Sequence, residues 1–173
     1  LEKSTKVVAE KLGVELVDFE DASCCPAPGV IRAFSRDTWL AAAARNLALA
    51  EQQGLPVTTI CNGCYGSLVE AAYELNNHPE TLAKANKYLK EIGMEYKGTT
   101  KVHHFADVLY KDVGVEAIKA KVTNPLNYKV ATFYGCHFLK PNTVKQLDDP
   151  ENPHILDDLV EATGAVSLPR KQK

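Results

Sequence analysis

The segment Val57–Asn76, which reads VTTICNGCYGSLVEAAYELN, decides both the fold and the chemistry that this chain can carry. Its first four residues, Val57–Ile60, are rich in β-branched side chains and are typical of a short buried strand. The strand runs directly into Cys61 and Cys64, which form a C-x-x-C pair. The segment therefore predicts a strand that delivers two cysteines to a turn.

The residues after this turn predict a helix. Ser67 and Glu70 match the S-x-x-E pattern of a capping box, in which the two side chains close the first turn of a helix. We therefore expect a helix that begins at or just after Cys64 and continues to about Asn76.

The same alternation of strand and helix extends over the rest of the chain. It predicts an α/β fold, built from βαβ units with a largely parallel sheet flanked by helices. The other predicted elements are helices over Lys3–Leu12, Asp37–Gln53, Phe105–Tyr110 and Val115–Val122, a helix from Pro79 that Gly93 ends, and strands over Val14–Phe19, with Val14, Leu16 and Val17 buried, and over Tyr128–Tyr134.

The composition is that of an ordinary globular protein. The 173 residues are 45% hydrophobic and 24% charged, with a formal net charge of -2. The absence of a basic stripe argues against nucleic-acid binding. No apolar run approaches the roughly 18 residues that cross a bilayer, and the N-terminus lacks the pattern of a secretory signal, so we expect a cytoplasmic protein without a membrane span.

Five cysteines are the main chemical feature. They occur as the adjacent pair Cys24 and Cys25, the C-x-x-C pair Cys61 and Cys64, and the single Cys136. Disulfides are rare in a reducing compartment, so these thiols are expected to be metal or cluster ligands or redox-active groups. Zinc bound by the first four is one alternative, although adjacent cysteines reach one tetrahedral ion poorly. A thioredoxin-like redox pair is another, and Cys136 alone could equally be a small buried hydrophobe.

Three motifs give the chain a resemblance to a known family. CCPAPG at Cys24–Gly29, CNGCYGS at Cys61–Ser67 and YGCH at Tyr134–His137 resemble the B subunit of heterodisulfide reductase, which is built from two cysteine-rich CCG repeats. In that family each repeat holds a noncubane four-iron four-sulfur cluster. The resemblance implies two such clusters, which cleave the mixed disulfide of coenzyme M and coenzyme B in methanogenesis.

The resemblance also implies a role for each cysteine. Four of them match the later ligands of the first repeat, and the fifth matches the opening ligand of the second: Cys24, Cys25, Cys61 and Cys64, then Cys136. Residues 1–125 would form most of the first repeat with a helical insertion, and residues 126–173 the start of the second. The remaining ligands would lie before Leu1 and beyond Lys173, so we expect a fragment that lacks both ends and is inactive alone.

Partners and further residues follow from the same resemblance. Electrons would arrive through a ferredoxin-like iron–sulfur subunit from a flavin-containing subunit, and the substrate would be a small-molecule disulfide. His137 is a candidate proton donor to a leaving thiolate, against the alternative of a surface histidine. Arg32 and Arg36 could attract an anionic substrate or form salt bridges. A related oxidoreductase such as thiol:fumarate reductase, or a non-catalytic zinc-binding module, stays as an alternative function.

Overall fold

A computed structural model describes residues 1–169. The chain contains short strands and longer helices in alternation. Its elements are α1 Glu2–Leu12, α2 Ile31–Phe34, α3 Arg36–Gln53, β1 Val57–Thr59, α4 Asn62–Asn77, α5 Pro79–Lys90, β2 Val102–His104, α6 Phe105–Asp107, a π-helical segment Val108–Val113, α7 Val115–Lys121, β3 Lys129–Val130, α8 Cys136–Leu139, α9 Asn142–Lys145, α10 Ile155–Ala162 and β4 Val166–Ser167.

The strands pair in parallel. β1 pairs with β2, with Val57 opposite Val102, and β3 pairs with β4, with Lys129 opposite Val166. Helices connect the partners in each pair, as parallel strands require. The predicted α/β class with parallel strands flanked by helices is confirmed. The division between residues 125 and 126 stays a prediction, and the last four residues of its second part, 170–173, lie outside the described residues.

The larger core forms around α3. The predicted helix over Asp37–Gln53 is confirmed to within one residue, and Gly54 ends it at a φ of 67° that suits glycine. Its apolar stripe is buried against α4 and α5. The buried side chains of this core include Trp39, Leu40, Leu47, Leu68, Leu75, Leu89 and Tyr96.

Two strand predictions need correction. Val14–Phe19 is not a strand: Val17 is 58% exposed, and among residues 1–169 no strand pairs with this segment. A groove of about 370 Å³ is lined by this segment and by β1. The predicted strand over Tyr128–Tyr134 shortens to Lys129–Val130.

A contact with α10 accompanies this shortening. Thr132 Oγ1 and Tyr134 OH donate hydrogen bonds to the Asp157 carboxylate, at 2.7 and 2.9 Å. These bonds hold the end of the segment against α10 instead of in a sheet. The turn that follows leads directly to Cys136.

β2 is a strand that the sequence pattern does not predict, and it ends in a buried histidine. His104 Nδ1 accepts a hydrogen bond from the Ala106 N–H at 3.2 Å, and its ring packs edge-on against Tyr65 and Phe138. Its Nε2 has no hydrogen-bond partner in the described part of the chain. Burial lowers the pKa of His104 from 6.5 to about 4.

The low pKa of His104 predicts a pH-dependent stability. The fold favours neutral imidazole, so this contribution is complete above pH 6.5 and is lost as the pH falls towards 4. Between pH 7 and pH 4.5 the parent should lose about 2–3 kcal/mol more unfolding free energy than His104→Asn, which keeps an acceptor and cannot titrate. Urea unfolding at the two pH values measures this difference, and equal losses in both proteins would contradict the assignment.

Candidate functional site

The first cysteine turn lies between β1 and α4. Cys61 is the N-cap residue of α4, and the backbone N–H groups of Cys64 and Gly63 lie near its sulfur. These backbone groups lower the pKa of the Cys61 thiol, because they stabilise the thiolate. The start of a 16-residue helix adds a favourable dipole at the same place. The turn is therefore suited to hold negative sulfur.

The predicted capping box is wrong. α4 begins at Asn62, before Cys64, and Ser67 lies inside the helix. Ser67 and Glu70 are buried and bind partners from distant parts of the chain, so neither side chain closes the first turn.

The structure places three thiols near one another. The Cys64 thiol interacts electrostatically with the thiols of Cys25 and Cys61. Burial, together with the neighbouring Cys25, raises the pKa of Cys64 to about 12, and burial also raises that of Cys25. The Cys24 thiol is exposed, lies 3.8 Å from the Cys25 carbonyl oxygen, and interacts electrostatically with Cys25. Four of the five predicted cysteines therefore meet at one place.

A buried asparagine fixes the Cys24–Cys25 loop to α3. Asn46 Nδ2 donates to the Ser23 carbonyl oxygen at 2.9 Å, and Asn46 Oδ1 accepts from the Ser23 N–H at 3.1 Å. Its amide also lies 3.9 Å from the Cys25 sulfur. Asn46 is not among the residues predicted from the sequence, although an amide within the apolar stripe of α3 is a usable signal.

Ser67 holds the other side of this loop. Its hydroxyl donates to the Pro26 carbonyl oxygen at 2.8 Å and accepts from Trp39 Nε1 at 2.7 Å. One side chain on α4 thus joins the cysteine loop to the core helix α3. This fixes Cys25 relative to the turn that carries Cys61 and Cys64.

Ser67→Ala should therefore destabilise the fold. It leaves a buried indole N–H and a carbonyl oxygen without their partner, so we expect a loss of about 1–3 kcal/mol in unfolding free energy. Alkylation of Cys25 should also become faster. Urea unfolding and mass spectrometry of alkylated cysteines measure the two effects. Ser4→Ala, on the exposed start of α1, is the control and should change neither value.

The second cysteine turn meets the first on α4. Cys136 is exposed and begins α8, which packs against α4. Asn62 Nδ2 donates to the Tyr134 carbonyl oxygen at 3.0 Å. A Cβ on Gly66 would lie 3.2 Å from His137 Cβ, so glycine allows the close approach. Cys136 therefore lies on the element beside the first turn.

A cleft of about 580 Å³ separates the two cysteine-bearing segments. One wall is Pro28 and Gly29, from the loop after the adjacent cysteine pair, and the other is Cys136 and His137. His137 is exposed there, as a proton donor would need to be. The cleft has the size of a small-molecule site.

The two arginines near the cysteine pair form ion pairs. Arg32 donates to the carboxylates of Glu70 and Glu74, each at 2.8 Å, and Arg36 Nε donates to Glu74 at 2.9 Å. The salt-bridge alternative for these arginines is confirmed. Arg32 also lines the cleft, with part of its charge offset by Glu70.

The donor set of the site suits an iron–sulfur group. Four thiols from two turns lie near one another, and backbone N–H groups lie near one of the sulfurs. Soft thiolates are the ligands of iron–sulfur clusters, and ligation would release the protons that the raised pKa values retain. Among residues 1–169 no three His, Cys, Asp or Glu side chains are arranged to hold one metal ion. No helix in this part of the chain could cross a membrane.

Comparison with known proteins places these features in context. Residues 1–69 match the cysteine-rich CCG domain. The chain is 53% identical over 168 residues to the B subunit of the ferredoxin/F(420)H(2)-dependent CoB-CoM heterodisulfide reductase of Methanosarcina acetivorans, and 49% identical to the B subunit of the ferredoxin:CoB-CoM heterodisulfide reductase of Methanosarcina mazei. Each alignment covers 97% of this chain and 56% of the relative.

Two further matches are more distant. The 8-methylmenaquinol:fumarate reductase membrane anchor subunit of Wolinella succinogenes is 39% identical over 174 residues, which cover 99% of this chain and 59% of the relative. The chain thus spans little more than half the length of the curated relatives it matches. The crystal structure of a hypothetical protein from Helicobacter pylori, with a TM-score of 0.57 and 22% identity, covers 94% of this chain and 33% of that one, and supports the fold alone.

Proposed function

Because this chain is a relative of the heterodisulfide reductase B subunits and carries the cysteine-rich CCG domain, we propose that it is part of an iron–sulfur oxidoreductase subunit that reduces a small-molecule disulfide. The observation that carries the proposal is the convergence of Cys24, Cys25, Cys61 and Cys64 at the start of α4. The whole protein's substrate and partners are part of the proposal.

These four cysteines would hold a noncubane four-iron four-sulfur cluster, and Cys136 would supply the first ligand of a second. When bound, such a cluster supplies one-electron chemistry. The adjacent Cys24 and Cys25 suit a group with several irons, because each thiolate can bind a different iron. The Gly63 and Cys64 N–H groups would stabilise the negative charge on Cys61.

The cleft between the two cysteine-bearing segments would take the substrate. We propose the mixed disulfide of coenzyme M and coenzyme B, whose reduction consumes two electrons and two protons and yields two thiols. Cys136 and His137 on one wall would face a disulfide in the cleft. His137, which is exposed there, would donate a proton to a departing thiolate.

Electrons would come from partner subunits, through a ferredoxin-like iron–sulfur subunit from a flavin-containing one. The proposed site of action is the cytoplasm, where thiols stay reduced. A second candidate is a subunit of a related reductase, such as thiol:fumarate reductase. The 39% identity with a subunit of the 8-methylmenaquinol:fumarate reductase of Wolinella succinogenes favours a fumarate-linked reductase as this second candidate.

Iron and acid-labile sulfide analysis tests the proposal. The sample is anaerobically purified protein expressed from the whole gene that encodes this chain, and its electronic absorption spectrum is recorded. Two four-iron clusters predict about eight irons per chain with matching sulfide. Zinc alone, without visible absorption after attempted reconstitution, would replace the reductase with a structural zinc module. Reduction of the coenzyme M and coenzyme B disulfide, compared with fumarate-linked thiol oxidation, then separates the two reductase candidates.

A further inference from the structure

A buried lysine anchors the segment that carries Cys136. Lys145, on α9, has a fully buried side chain, and its ammonium group lies 3.1 Å from Glu70 Oε1 on α4. It donates hydrogen bonds to the carbonyl oxygens of His137, at 2.8 Å, and of Lys140. A buried charge is unfavourable unless every donor finds a partner. These partners fix the ammonium group between α4 and α8.

The anchor belongs to an ion network that joins α2, α4 and α9. These helices lie next to the Cys24–Cys25 loop, the Cys61–Cys64 turn and the Cys136 turn, respectively. Glu70, on the helix that begins directly after Cys61 and contains Cys64, pairs with Lys145 and also accepts from Arg32. Arg32 lies on α2, directly after the loop of Cys24 and Cys25. One charged residue from each of these three helices therefore belongs to the same network. Arg32 and Glu70 also line the cleft between the segments.

We propose that Lys145 is a positioning residue, which sets the location of Cys136 and His137 against α4 and so the width of the cleft. Its two carbonyl partners bracket α8, because His137 lies in this four-residue helix and Lys140 directly follows it. The contacts are therefore with the backbone of the cleft wall itself. The functional meaning of this position rests on the proposed function, whereas the anchoring itself does not.

The alternative is that Lys145 only adds stability to the whole fold. The two roles differ in where a substitution acts. Lys145→Met fills a similar volume but leaves two carbonyl oxygens and the Glu70 carboxylate without this partner. A positioning role predicts a local effect on residues 134–146. A general role predicts equal effects on all helices.

Hydrogen–deuterium exchange on the cluster-free chain under reducing conditions tests the proposal. For Lys145→Met we expect exchange of the Lys140 amide, which bonds to the Cys136 carbonyl oxygen at 2.9 Å, to rise about tenfold or more. Exchange in α3 should stay unchanged. Lys145→Arg, which keeps the charge and the donors, should restore most of the protection. Lys121→Met, at the exposed end of α7, is the matched control and should behave like the parent.

Unchanged exchange over residues 134–146 would overturn the proposal, as would an equal loss of protection in every helix without rescue by arginine. If Lys145→Met does not fold, Glu70→Gln takes its place, because it removes the ion pair and keeps the size of the side chain. The readout needs no iron. Failure of the anchoring would therefore leave the iron analysis intact, and failure of the iron analysis would leave the exchange result intact.

Discussion

Replacing Cys64 by serine is expected to reduce the iron and acid-labile sulfide of the first cysteine site to background, with a change in unfolding free energy within about 1 kcal/mol. Cys64 is the thiol that interacts electrostatically with both Cys25 and Cys61, so it lies at the centre of the proposed ligand set. A serine hydroxyl is a hard ligand that binds iron–sulfur groups poorly. Serine is nearly isosteric with cysteine, so the fold should persist.

The measurement is iron and sulfide per chain after anaerobic reconstitution of the protein expressed from the whole gene. Far-UV circular dichroism establishes that the variant is folded. Cys136→Ser is the matched control. This cysteine is exposed and lies on the other turn, so its variant should keep the iron of the first site and lose only that of the second. Full iron content in a folded Cys64→Ser protein would refute the ligand assignment. Equal losses in both variants would refute the division into two sites.

Patterns contained in one segment could be predicted from the sequence. The helix over Asp37–Gln53 differs from the observed α3 by one residue, because an apolar stripe and the stop at Gly54 are both local. The parallel βαβ arrangement follows from the order of elements. The convergence of the two cysteine pairs could be inferred from their residue types and from the family resemblance.

Predictions failed where a distant partner decides the outcome. Ser67 and Glu70 have the spacing of a capping box, yet Ser67 binds Trp39 and Pro26, which lie 28 and 41 positions away. Val14–Phe19 has the composition of a strand but has no paired neighbour among the described residues. Local pattern carries no information on either point.

The site could be predicted only in part for the same reason. The spacing of the cysteines does not show that Asn62 ties the two turns together across 72 positions. Nor does it show that Lys145 is buried, because a lysine in a polar segment is ordinarily exposed. Residues that hold the cysteine segments in place are thus harder to find than the cysteines.

Trp39→Ala is expected to have the largest effect on stability, a loss of about 3–5 kcal/mol. Trp39 is fully buried in the core between α3 and α4, and the Arg32 guanidinium lies over its ring, 4.8 Å from the centroid. Its Nε1 donates to Ser67, which in turn holds Pro26 of the cysteine loop. The substitution opens a cavity and also removes a link to the candidate site.

Trp39→Phe separates these two effects, because it keeps most of the ring volume and removes only the N–H donor. Its loss of unfolding free energy should be smaller, about 1–3 kcal/mol, and should match that of Ser67→Ala if the hydrogen bond is the main difference.

Phe34→Ala is the exposed aromatic control. The ring is 86% exposed, so its loss of unfolding free energy should stay within about 0.5 kcal/mol. Trp39 is the only tryptophan, so urea unfolding must be followed by far-UV circular dichroism. A loss of unfolding free energy for Trp39→Ala no larger than that for Phe34→Ala would show that α3 does not organise the core. It would also contradict the link between Trp39 and the cysteine loop.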